Sequence, residues 1–138
     1  GGELIQLYPL GLGYKNAEYM RHLDSTIPET HRHMHNNLLN ITVESGWLGL
    51  AAYCWWMGVV FTKGFSIWRN FKKSNDNIIK HFSVLALCLS SALVGWQVSG
   101  LVEYNFGDGE IRFIAFMYMG LILVISNFLE RKYKASPI

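Results

Sequence analysis

A chain of 138 residues with a formal net charge of +2 is too weakly basic for a nucleic-acid binder, and its cations are not interleaved with aromatics on one face. Its apolar share of 51% and aromatic share of 14% are high for a water-soluble domain. It opens on Gly1-Gly2-Glu3 without an initiator Met or signal-peptide pattern, and is expected to be the C-terminal part of a longer protein.

Residues 3–28 are polar and carry no long periodic run. Gly11 and Gly13 after Pro9 read as a glycine turn, since GxGxxG and Walker spacings are both missing. Asn16 to Leu23 is expected as a short helix with Tyr19, Met20 and Leu23 on one side, and Ile27-Pro28-Glu29 as a break. His31, His33 and His35 then alternate along the chain. On a strand all three share a side, whereas on a helix only His31 and His35 face together. A zinc ion would want further ligands and a fixed second shell, and no His/Glu cluster of recognised spacing supplies them. Metal ligation and a solvated loop both stay open for His31 and His33, with no metal or other cofactor expected.

From Asn36 to Glu44 the spacing predicts a helix capped by Asn36 or Asn37. Leu38, Leu39, Thr42 and Val43 form its expected buried stripe, and Asn36, Asn40 and Glu44 its polar one. Composition changes abruptly at Ser45. Residues 45–62, 81–102 and 113–129 hold no Asp, Glu, Lys or Arg, and each run is long enough to cross a hydrocarbon core about 30 Å thick. Transmembrane helices are expected at about 46–68, 81–102 and 112–129, and residues 1–45 form a segment outside the membrane. Gly46 and Gly49 permit a bend or close packing where the chain enters the bilayer. Of Trp47, Tyr53, Trp55 and Trp56, the outermost suit interfacial anchoring and the deeper ones packing. Ser90, Ser91, Gly95, Ser99 and Gly100 suit helix packing, and Cys54 and Cys88 read as small packing residues rather than a disulfide.

Orientation follows from the short loops. Arg69, Lys72, Lys73 and Lys80 lie between the first and second runs, and Arg131, Lys132 and Lys134 follow the third. Only Arg112 stands near the second connection, beside Glu103, Asp108 and Glu110. The first connection and the tail are therefore expected in the cytoplasm, and the histidines and the loop around Asp108 on the opposite side. Asp108-Gly109 reads equally as a solvated turn.

These residues resemble the O-antigen ligase family and its relatives, the O-antigen polymerases and protein O-oligosaccharyltransferases. The family signature is His followed by Asn, Ser or Arg, nine residues, and Gly-Val. Here His35-Asn36 is followed by nine residues, Asn37 to Ser45, and then Gly46-Trp47, with Trp in place of the frequent Val. Pro9-Leu10-Gly11-Leu12-Gly13 resembles the family's Pro-Leu-x-Gly-x-Gly segment, and the stretch from Gly100 to Glu110 resembles its connection between late membrane helices.

The resemblance implies an all-α membrane protein, a polytopic helical bundle of GT-C-like fold with three transmembrane helices and a periplasmic segment. It implies a bacterial inner-membrane enzyme that transfers a glycan from an undecaprenyl-diphosphate-linked donor to a hydroxyl of lipid A-core or another glycan acceptor. On this reading His35 is the general base, because a helix N-terminus disfavours an added positive charge. Arg32, Asn36, Asn37, Glu44 and Glu103 are the implied substrate-binding residues. The family's principal arginines lie upstream of its His motif, so this piece by itself is expected to be inactive. A polymerase shares the donor and stays open beside the ligase. A transporter or flippase is the alternative from another class, although such proteins place polar groups near mid-bilayer and often show internal repeats.

Overall fold

Asn36 and Asp76 cap the starts of two helices of this protein, and Gly46 interrupts one of them. The structure, a computed structural model, describes residues 2–14, 16 and 35–134. Its elements are α1 (Gly2–Leu7), α2 (Asn37–Phe71), α3 (Asn77–Ser99) and α4 (Gly109–Lys134). All regular structure among the described residues is helical. The expected helix from Asn16 to Leu23 and the break at Ile27-Pro28-Glu29 lie, apart from Asn16, outside the described residues.

The expected spans fall on the three long helices, each observed helix being longer than its uncharged run. The amphipathic stretch after the histidines and the first apolar run are joined in α2, 35 residues with non-helical backbone only at Gly46 (φ 67°, ψ −170°). By length and apolar character α3 and α4 are able to cross a membrane, whereas α2 is not among the helices that meet that measure. Only 28% and 33% of the most apolar stretches of α3 and α4 are buried, whereas the core helix of a water-soluble protein is mostly buried. Phe113, Val124 and Val98 are among the apolar side chains left uncovered, as a surface in contact with lipid requires. These two helices point to a membrane.

The chain divides into two units: residues 1–55 with 97–109, and 56–96 with 110–138. In the second unit each helix buries a single seam. On α2 it runs Met57, Val60, Gly64, Ile67; on α3 Ser83, Ala86, Ser90, Leu93; on α4 Ala115, Met119, Ile122, Ser126, Leu129. Steps of three and four residues are the pattern of side chains packing ridge into groove at a shallow crossing angle. Small residues set the closest approach: a Cβ on Gly64 would collide with the Ser90 hydroxyl. Trp56 stacks on Phe116 at 5.3 Å, and Lys63 donates to Glu130 at 2.9 Å.

Several expectations about faces are corrected. In the first turns of α2 the buried residues are Asn37, Asn40, Ile41, Thr42, Val43 and Glu44, while Leu39 is 44% exposed. Asn37 can face inward because its amide has side-chain and backbone partners there. Cys54 and Cys88 are free and exposed, not packed inside. Ser91, Gly95 and Ser99 also lie on exposed faces of α3, so of the small residues expected to pack there only Ser90 joins the seam, beside Ser83 and Ala86.

Candidate functional site

The first unit gathers three segments that are far apart in the chain. Asn36 caps α2, its side-chain oxygen accepting from the Leu39 N–H at 3.0 Å, and so meets one of the donors that a helix start leaves open. Its amide nitrogen donates to the Leu101 carbonyl at 2.8 Å. Asn37 is 1% exposed and reaches the same loop with three bonds. Its backbone N–H donates to the Gly100 carbonyl at 2.6 Å. Its side-chain nitrogen donates to Asn105 Oδ1 at 2.6 Å, and its side-chain oxygen accepts from the Phe106 N–H at 3.0 Å. Gly100 has no side chain for a steric reason, since a Cβ there would strike the Asn37 amide.

These bonds bracket Glu103 on both sides and bring it to the residue just before the cap. His35 Nδ1 stands 3.3 Å from Glu103 Oε1, with the two side chains 57% and 60% exposed. An exposed ion pair contributes only about 0–1 kcal/mol, too little to organise a loop. The buried asparagine clamp sets the geometry, and the His–carboxylate pair sits on top of it, open to an incoming molecule.

The glycine segment braces the same helix from behind. Where Gly46 interrupts α2, the carbonyls of Val43 and Glu44 lose their helical partners and accept instead from Leu12 N–H at 2.8 Å and Gly13 N–H at 2.9 Å. Helix resumes with Trp47, whose N–H donates to the Pro9 carbonyl at 3.1 Å. Gly11, Gly13 and Gly46 all have positive φ, and Cβ atoms on Gly11 or Gly46 would collide with backbone of the other segment. Further along, Tyr53 donates to Gln97 Oε1 at 2.8 Å, with its ring edge-on to Phe106 at 5.5 Å.

Of the residues singled out from the sequence, the fold therefore joins His35, Asn36, Asn37 and Glu103. Asn37 was expected to bind substrate, but both ends of its amide are engaged by the loop. Glu44 is 9% exposed and lies in the braced stretch just ahead of Gly46, where its carbonyl accepts from the Gly13 N–H. Arg32, His31 and His33 lie outside the described residues. Asn105 and the Phe106 amide went unnoticed in the sequence, where a lone Asn in a loop carries no spacing signal. Among the described residues there is no group of three or more His, Cys, Asp or Glu suited to a metal ion. No family model, curated protein or solved structure matches the chain.

Proposed function

We propose that this chain carries the acceptor-activating part of a membrane glycosyltransferase of the O-antigen ligase or polymerase type. It would move a glycan from undecaprenyl diphosphate to an acceptor hydroxyl at the periplasmic face of the inner membrane, with α2 as a third membrane helix in a GT-C-like bundle. The observation that carries this reading is the convergence of three separated segments. The Pro-Leu-x-Gly-x-Gly stretch, the His35-Asn36 motif and the Gly100–Glu110 connection each resemble the family independently; the last two meet at one exposed histidine, and the first bonds to the same helix further on, at Val43, Glu44 and Trp47.

In the reaction, His35 takes the proton of the acceptor hydroxyl as that oxygen attacks the anomeric carbon of the donor glycan. A new glycosidic bond forms, the bond from carbon to diphosphate oxygen breaks, and undecaprenyl diphosphate leaves with the electron pair. The leaving group stays anchored in lipid, which is why the base belongs at the lip of the membrane. Arg32 would help neutralise the diphosphate through bidentate bonds.

The test is glycan transfer per molecule of folded protein in the full-length enzyme. His35→Ala should lower it by about 10²- to 10⁴-fold, the range for loss of a positioned acid–base group, while His31→Ala and His33→Ala do much less. Near-normal turnover in His35→Ala would end the general-base role. Loss in all three variants, together with collapse in EDTA and recovery on adding metal, would make the histidines ligands instead.

A further inference from the structure

We infer that Glu103 is a positioning residue for His35, holding the imidazole as its Nδ1–H tautomer so that the basic lone pair lies on Nε2. The resemblance implied a substrate contact for Glu103, and the geometry points elsewhere. Its carboxylate oxygen lies 3.3 Å from Nδ1 of His35. A carboxylate has only acceptor sites, so the ring nitrogen facing it carries the proton and the other nitrogen is the acceptor.

The pairing is built from below. Glu103 occupies a turn whose backbone is closed by Val102 N–H and Glu103 N–H donating to the Ser99 carbonyl, both at 3.1 Å. The residues flanking that turn, Leu101 on one side and Asn105 on the other, are held by Asn36 and Asn37 at 2.8 and 2.6 Å. Because His35 directly precedes Asn36, the same two asparagines place both members of the pair. Such a carboxylate behind an imidazole fixes ring orientation and steadies the cation formed when the base takes a proton.

Use of this pair in transfer rests on the glycosyltransferase reading, but the tautomer does not, and the experiment separates them. The full-length protein, labelled with ¹⁵N histidine in lipid nanodiscs, is observed at a pH where imidazole is neutral, with His35→Ala identifying the signal. His35 should show the Nδ1–H pattern, keep it in Glu103→Gln, which retains an acceptor, and shift toward Nε2–H in Glu103→Ala. A His35 tautomer indifferent to Glu103→Ala overturns the inference. Transfer is then measured with source-cell membranes as donor and acceptor. Glu103→Ala should lower kcat by about 10- to 100-fold with KM little changed, less than the loss of a buried carboxylate behind a catalytic histidine. It should cost nothing further in the His35→Ala background. A raised KM with unchanged kcat, or a full additional loss in that background, would return Glu103 to substrate binding. If instead the tautomer responds while His35→Ala keeps its turnover, the positioning stands and the general-base reading falls.

Discussion

The backbone of Gly11 lies directly against that of Gly46, so close that a Cβ on Gly11 would stand 2.6 Å from the Gly46 nitrogen. The contact ties the turn after α1 to the interruption in α2. It exists because neither glycine carries a Cβ, which lets the backbones of Leu12, Gly13 and Pro9 bond to those of Val43, Glu44 and Trp47. The helix break is thus a joint with assigned hydrogen bonds on both sides.

Gly46→Ala and Gly11→Ala should each destabilise the protein. At Gly46 the backbone conformation alone costs a side-chain-bearing residue about 1–3 kcal/mol, and collision with the Pro9–Leu10 backbone adds to it. Thermal unfolding in detergent measures the loss. Gly58→Ala is the control, because a Cβ there meets nothing within 4 Å and should be neutral or slightly stabilising. Equal stability of Gly46→Ala and wild type would mean that the joint is dispensable.

Asn37→Ala should be the most damaging change among the residues next to His35. It strips the Phe106 N–H and the Asn105 amide of buried partners, at about 1–3 kcal/mol for each group left unsatisfied. Asn36→Ala loses a cap and one loop bond, about 1 kcal/mol for the cap. Hydrogen exchange should show the Phe106 amide losing protection in Asn37→Ala and keeping most of it in Asn36→Ala. The reverse order would make the cap, not the clamp, the anchor of the loop.

Asp76 should make stability fall in acid. Its Oδ2 accepts from Lys132 at 2.6 Å while Oδ1 caps α3 through the Ile78 N–H at 2.8 Å. The hydrogen bond from Lys132 is the largest of the influences that hold its carboxyl below the ordinary range, with the two backbone bonds adding to it. A carboxyl whose folded value is depressed contributes above its unfolded value and loses that contribution as pH falls through the folded one. Asp76→Asn keeps a capping oxygen but not the charge, so its melting temperature should lie between those of wild type and Asp76→Ala, with a flatter acid limb. An acid limb unchanged in Asp76→Asn would assign the pH dependence to other carboxylates.

Topology is testable by single cysteines in a background lacking Cys54 and Cys88. Asn75→Cys, at an exposed position in the connection between α2 and α3, should be shielded from an impermeant periplasmic reagent, and Asp108→Cys should be labelled. Asn105 is unsuited to the purpose because it is buried against Asn37. Labelling of Asn75→Cys from the periplasm would invert the assignment.

Approximate position and order of the three long helices were legible in the sequence because they depend on one-dimensional quantities. Uncharged runs mark what lipid tolerates, and Asn36 and Gly46 mark where backbone partners change. The faces were not legible. When apolar side chains surround a helix, periodicity carries no direction, and the seams through Gly64, Ser83, Ser90 and Ser126 are set by which small residues let helices approach. In the first turns of α2 the usual sign was reversed: Asn37, Asn40 and Glu44 are inside and Leu39 outside, and for Asn37 the partners that satisfy the buried amide come from residues distant in the chain. For the same reason His35 stood out from the sequence while its pairing with Glu103 did not. A residue type announces the chemistry it can perform, but a hydrogen bond across 68 positions of chain exists only once a fold has closed it.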